Sequence, residues 1–322
     1  MSPSMSKPAA PPSSPSPFSS PQLRLARLTR LTSTIPGLDA SLMLAQYTSP
    51  LIVALLLRLA RFRAAHPHLR FGLRGRGSVK GGGEGLVRLA EGWGRAAASV
   101  ADARVIMRAF GLLPVLQGLF TLYPNPLRSL LSIFSLKPSA LASGKTLPTL
   151  QLLALLAYYP LEHLSWLATK GVVPLAPASI GAATLWSVRF WALYVMLEIY
   201  KLRQSYTSLQ ARGRALQIAK PSVSAAEAEG YELQESSSVE KAVAAPPAAG
   251  AAQTEGRTDA QELRADLIKW KDAVLVNSGY APLTLHWSTP GGLWSSPLVT
   301  AMFGTIAASG QLITEWRKGA AA

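Results

Sequence analysis

The side chains that could carry chemistry in this chain are few, and their spacing decides what they can do. Four histidines are present, His66, His68, His163 and His286, and there is no cysteine. Without thiols there are no disulfides, thiolate metal sites, iron–sulfur clusters or cysteine nucleophiles. Glu162 and His163 are an acid and a base by type, but adjacent residues on a helix point in different directions. They read as polar groups at a helix interface. Ser143-Gly144-Lys145-Thr146 ends like a phosphate-binding loop, yet Ser139 stands where the first glycine should permit the tight turn. The glycines between Gly72 and Gly85 never match the dinucleotide fingerprint and follow no strand. No H-E-x-x-H, G-x-S-x-G or D-x-D-x-D-G pattern occurs. The expectation is a protein that is not an enzyme, with no catalytic residue, metal or cofactor.

What the chain has instead is apolar surface and positive charge. Apolar residues make up 49% of it and charged ones only 15%, with a mean hydropathy of +0.21. Soluble domains carry about a quarter charged residues, so this deficit points to a membrane. Residues 1–150 hold 18 Lys+Arg against 4 Asp+Glu, a net of +14; residues 151–322 hold 14 against 13, a net of +1. The arginines of the first half alternate with leucines, and no helix-turn-helix, zinc-finger or RNA-stacking motif accompanies them. Anionic membrane lipids, and no nucleic acid, are therefore the expected partners of the basic half.

Composition divides the chain into four segments. Residues 1–36 form a Pro/Ser-rich tail, expected to be disordered and without a secretory signal. Within it Gln22 to Ile35 carries Arg24, Arg27 and Arg30 among leucines, like a mitochondrial transit helix, but the proline-rich start argues against that role. Residues 37–217 are a helical membrane-associated domain. Residues 218–257, rich in Ala, Pro, Ser and Glu, are expected as an acidic flexible linker. Residues 258–322 hold an amphipathic helix and then a C-terminal transmembrane helix. Asp259 and Glu262 form a capping box for the former, and Leu263, Leu267, Trp270 and Val274 its apolar stripe. The final Lys318 to Ala322 is not a Ser-Lys-Leu matrix-import signal.

Strand signals are nearly absent and helical spacing recurs, so the fold class is all-α: a helical integral membrane protein with amphipathic helices and a C-terminal transmembrane helix. Asp39 is the expected N-cap of a helix running to about Arg63, with Pro50 ending or kinking its early turns. Ile52, Leu55, Leu56, Leu59 and Phe62 fall on one side, and Arg58 and Arg61 on the other. Glu84, Arg88, Glu91, Arg95, Ser99 and Asp102 then form a narrow polar stripe opposite Leu86, Ala90, Trp93, Ala97 and Val100. Leu86, Trp93 and Val100, with Arg88 and Arg95 reaching headgroups, are the candidate membrane-binding residues; packing of that face on the protein's own core is the alternative. Arg104 and Arg108 land on the apolar face. The helix must therefore end, bend or bury two arginines against a partner.

The uncharged runs 109–127, 146–161 and 171–188 are candidate bundle helices, of which one or two could span a bilayer. A stronger candidate lies between Ala273 and Thr314, which is free of Asp, Glu, Lys and Arg for 42 residues. Prolines and glycines interrupt it, leaving Leu298 to Ile313, bracketed by Trp294 and Trp316 and closed by Arg317 and Lys318. Gly304 and Ala308 give it a small-xxx-small face for close helix packing.

Several of these residues are similar to a known family. Leu38-Asp39, Ala103-Arg104 to Arg108 and the run Tyr158-Tyr159-Pro160-Leu161-Glu162-His163-Leu164-Ser165-Trp166 resemble the peroxin-11 family of peroxisomal membrane proliferation factors. Thr184-Leu185-Trp186, Lys201-Leu202-Arg203-Gln204, Leu285-His286-Trp287 and Met302-Phe303-Gly304-Thr305-Ile306 look like its gamma branch, in the order that branch shows them. The resemblance runs from about Gly37 to Arg317, outside the acidic linker. Tyr158, Tyr159, Pro160, Glu162, His163 and Trp166 are its most specific signature. It implies a peroxisomal membrane protein that elongates and proliferates the organelle before fission by inserting amphipathic helices. It also implies self-association into a homo-oligomer, cooperation with the fission machinery and import through the receptor peroxin-19. A scaffold that recruits fission proteins is the alternative. A less favoured one is a small-solute transporter using charges such as Arg189 and Glu198. Under the membrane reading the chain is expected to stay in the pellet on carbonate extraction of membranes; recovery in the soluble fraction would contradict it.

Overall fold

The computed structural model describes residues 21–66, 83–125, 144–235 and 248–321, and among them every regular element is a helix. In chain order these are α1 (Pro21–Thr32), α2 (Ile35–Ala65), α3 (Glu84–Ala109), α4 (Leu112–Leu122), α5 (Thr146–Thr169), α6 (Pro177–Glu235), α7 (Ala248–Ser288) and α8 (Pro297–Ala321). Residues 1–20 of the expected tail, most of the Gly/Arg-rich loop and residues 236–247 of the expected linker lie outside the described residues.

Three local expectations need correction. The tail does not extend to residue 36: α1 is helical because Leu31 is buried and the Arg30 guanidinium donates to the Gly319 carbonyl at 2.9 Å, tying α1 to the end of α8. The linker is helical on both sides of 236–247, since α6 continues through Glu235 and α7 opens at Ala248. The Ala- and Glu-rich composition that reads as flexible is also strongly helix-forming. Finally, α2 is capped by Thr34 rather than Asp39: the Thr34 hydroxyl accepts from the Gly37 amide at 3.2 Å, and Pro36 occupies the first turn, where its missing N–H costs nothing. Pro50 sits inside the continuous 31-residue helix, about 46 Å long, and does not end it.

Six helices close into a ring in the order α3, α2, α8, α7, α6, α5, with α5 returning to α3. Small residues let the backbones approach. Gly304 of α8 lies flat against the Tyr47 ring of α2, and Gly279 of α7 against the α8 backbone at Phe303 and Ala307. Met43, Ala307 and Ala308 are fully buried at this three-helix junction. Beyond the ring α6 and α7 run on as an antiparallel pair. Tyr206 stacks on Trp270 at 5.0 Å, the Trp270 indole donates to the Leu202 carbonyl at 2.9 Å, and Arg212 donates to Asp266 at 2.8 Å. That hydrogen bond holds the Asp266 carboxyl below the usual carboxylate range.

The outer surface is apolar. Leu55 is 67% exposed and Leu113 64%, and Phe110, Phe120, Trp186, Met196 and Met302 are also exposed. Segments Ile35–Ala65, Glu84–Leu122, Pro177–Ile218 and Pro297–Gly319 are long and apolar enough to cross a bilayer. The chain is thus an all-α helical membrane protein. The expected span Leu298 to Ile313 is the core of α8. The helix ending near Arg63, read as a basic amphipathic element, is also long and apolar enough to cross.

Replacing Gly304 by leucine should drive a side chain into the Tyr47 ring and destabilise the ring by about 1–3 kcal/mol or more. Thermal unfolding of the detergent-purified chain measures this. Gly181→Leu, with no neighbour near its would-be Cβ, is expected to melt like the parent.

Candidate functional site

The ring is not filled by hydrocarbon. Asp39 and Gln46 lie two turns apart on the same side of α2, and Arg104 of α3 reaches both. Its Nε donates to Asp39 Oδ1 at 2.7 Å, its Nη2 to Asp39 Oδ2 at 3.3 Å and its Nη1 to Gln46 Oε1 at 2.7 Å. Arg104 is only 5% exposed. One turn on, Arg108 donates to Glu162 of α5 through Nε at 2.9 Å and Nη2 at 2.7 Å. Tyr158, one turn before Glu162, donates its hydroxyl to the same carboxylate at 2.8 Å. The third of the outcomes open to α3 is therefore the real one: both phase-breaking arginines meet acidic partners, Arg104 buried and Arg108 half-buried.

These pairs line a chamber of about 400 Å³ to which all six ring helices contribute. Tyr280 of α7, which accepts from Gln311 of α8 at 2.8 Å and donates to the Met43 sulfur at 3.2 Å, closes one wall. Trp191 stacks between Tyr158 and Trp287 and meets Tyr280 edge-on at 5.1 Å. A second cavity of about 840 Å³ shares Asp39, Tyr194 and Gln311 with the chamber and continues to Arg317 and Lys318 at the end of α8. Among the described residues every buried side-chain nitrogen and oxygen has a partner, and no cluster of three or more His, Asp or Glu side chains is placed to hold a metal ion.

The signature residues converge on the contact between α5 and α3. The His163 ring meets the Tyr159 carbonyl at 2.6 Å through Nδ1 and the Val105 carbonyl of α3 at 3.0 Å through Nε2. The Trp166 indole donates to Asp102 Oδ1 at 2.9 Å, and Lys170 to Asp102 Oδ2 at 2.6 Å. Tyr159 abuts Gly111, where a Cβ would lie 2.7 Å from its hydroxyl. Pro160 lies inside α5 without breaking it. Glu162 and His163 thus serve two different contacts, as adjacent helical positions must.

The membrane-binding candidates divide. Arg88 and Arg95 are exposed, and Trp93 is exposed on one edge while its indole donates to Ser49 of α2 at 3.1 Å. Leu86 and Val100 are half-buried, and Ala90 is buried, so part of the apolar face packs within the protein. Val87, Leu89, Ile106 and Phe110 are the exposed apolar residues the periodicity passed over. Gly304 and Ala308 are brought together with α2 and α7, and their small face is occupied within the chain. Arg189 and Glu198 do not pair: Arg189 donates to the Ser288 carbonyl at 3.4 Å and lies over Trp186, whereas Glu198 accepts from Gln151 at 2.7 Å. Asp39 was misread as a cap. The signal was present, since it is the only acid before Glu84 and lies in an apolar helix.

No family model matches the chain, and no curated protein or solved structure matches it. The chemistry of the site is therefore read from its own geometry.

Arg104→Met should leave the Asp39 carboxylate without its partner in the ring and destabilise by about 3–5 kcal/mol, towards the lower figure because the Asp39 side chain is 23% exposed. Arg104→Met combined with Asp39→Leu should recover most of the loss. Thermal unfolding of the four members of this cycle measures it.

Proposed function

We propose that this chain is a peroxisomal membrane protein that elongates and proliferates the organelle ahead of fission, without catalysing a reaction. The observation that carries this reading is α3. It offers Arg88 and Arg95 together with exposed Leu89, Trp93 and Ile106, so that one helix holds both headgroup-binding cations and side chains able to enter the acyl layer. Such a helix expands one leaflet relative to the other and favours positive curvature, with each arginine contributing about 1 kcal/mol near an anionic surface. The residues similar to the peroxin-11 family support the peroxisomal assignment. Under it the partners are anionic lipids, further copies of the chain, the fission machinery and the import receptor peroxin-19.

The chamber favours a second reading, a conduit for small polar solutes. Its two ion pairs lie at the centre of the ring, and buried ionisable residues in membrane proteins mark polar pathways.

Replacing Arg88 and Arg95 by glutamate is expected to abolish peroxisome elongation in cells while leaving targeting intact. The same variant should bind anionic vesicles more weakly, and the parent's binding should fall as salt rises. Leu89→Ser with Trp93→Ser should weaken leaflet insertion by about 1.5–3 kcal/mol per side chain. Normal elongation by the charge variant removes α3 as the bending element. Solute flux through proteoliposomes that is lost in the Arg108→Met, Glu162→Leu double variant would favour the conduit.

A further inference from the structure

The ring has one joint unlike the others. Of the contacts between ring neighbours, α3 to α5 is the sparsest, and polar bonds carry it: Arg108 to Glu162, the His163 ring to the Val105 carbonyl, and Trp166 and Lys170 to Asp102. These bonds lie along the joint, since Asp102, Val105 and Arg108 occupy successive turns of α3. Arg108 and Glu162 line the chamber, whereas Asp102 and Lys170, at the end of α5, have side chains 43% exposed. Ile106 of α3, Phe110 just beyond its end and Leu164 of α5 are exposed apolar side chains of the same segments. A polar seam therefore separates the two helices, with the charged chamber on its inner side.

We propose that this seam is a lateral opening through which the headgroups of zwitterionic phospholipids enter the chamber and cross the bilayer, the acyl chains remaining outside against Ile106, Phe110 and Leu164. This rests on the membrane reading above but not on its organelle or on membrane bending. The chemistry selects the ligand. The chamber holds two guanidinium groups, Arg104 and Arg108, against two carboxylates, Asp39 and Glu162, and so is neutral overall. A free anion or cation entering it would leave a charge uncompensated. A zwitterion would not, because its phosphate can take the Arg108 fork while its ammonium takes Glu162, with Tyr158, Tyr159 and Trp191 as aromatic neighbours for the cation. The volume of about 400 Å³ falls within the roughly 300–1,000 Å³ usual for small-molecule sites. The larger cavity, which shares Asp39, Tyr194 and Gln311 with the chamber as lining, lies towards Arg317 and Lys318 at the end of α8.

The test uses the full chain reconstituted in phosphatidylcholine vesicles carrying a trace of fluorescent phosphatidylcholine, with dithionite added outside to bleach the outer leaflet. The expected result is that the protected inner-leaflet fluorescence is lost in protein-containing vesicles, while a trapped water-soluble dye stays inside. Because the chain has no cysteine, Asp102→Cys with Lys170→Cys can be bridged by a short bis-maleimide across the seam. Bridging should slow lipid transfer by at least an order of magnitude relative to the same variant capped with a mono-maleimide. Arg108→Met with Glu162→Leu, which leaves no unpaired charge at the seam, should melt near the parent and also lose transfer. The proposal is overturned if inserted parent protein leaves the inner leaflet protected, if bridged and capped proteins transfer lipid equally fast, or if the trapped dye escapes as fast as lipid moves. Flotation of the same vesicles separates the two levels: protein that fails to float overturns the membrane reading itself, and floating protein without transfer overturns the seam alone.

Discussion

Taking a guanidinium out of water costs several kcal/mol, and α3 does this fully with Arg104 and in part, one turn on, with Arg108. Everything around the chamber answers that cost. Arg104 needs an acid and an amide from α2, which places Asp39 and Gln46 on one side of that helix; Arg108 needs an acid from α5, which places Glu162 there with the Tyr158 hydroxyl alongside. Helix α3 is consequently pinned to two neighbours that do not follow each other in the chain. The two forks set the relative height of α2, α3 and α5. Apolar packing alone would leave these helices free to slide, because lipid tails are as good a partner for leucine as another leucine is.

The opposite side of the ring is built by a different device. Around Met43, Ala307 and Ala308 there is no charge to fix the register, and close backbone approach takes its place. Gly279 and Gly304 remove side chains where α7 and α8, and α8 and α2, meet, so that a tyrosine ring or a carbonyl can fill the space. Close approach thus dominates at this junction, with Tyr280 also bonded to Gln311 and Met43 and Arg317 paired with Asp272 further along α7 and α8.

Much of this was legible before any coordinates. The period of the apolar residues reports on local helical geometry and locates α2 and α3, whereas α5 and α8 show as runs without charge. The conflict at Arg104 and Arg108 left three outcomes open, of which a partner for the two arginines was one. The partner's identity was not legible, because a helix face is defined by its own sequence whereas an ion pair joins residues such as Asp39 and Arg104 that are 65 apart. Asp39 near a helix start looks like a cap, and only the tertiary arrangement shows that Thr34 already does that work. The acidic segment failed for another reason. Alanine and glutamate lower hydropathy and raise helix propensity together, so composition alone does not separate a linker from a long polar helix. For α3 the sequence posed two alternatives, membrane or core, and the helix divides its apolar residues between an inner strip and an outer one.

The contact between Tyr47 and Gly304 has a consequence for how the protein is made. The two residues are 257 positions apart, so at a synthesis rate of roughly 5–20 residues per second α2 leaves the ribosome about 13–50 s before the glycine that seats its tyrosine exists. During that interval Asp39 and Met43 face whatever surrounds the nascent chain. Insertion of the early helices one at a time would place Asp39 in lipid before Arg104 has been translated. A cytosolic factor that shields α2 until α8 is complete, followed by insertion of the paired helices together, avoids that state. The contact between α2 and α8 therefore closes only after α3 to α7 have been synthesised.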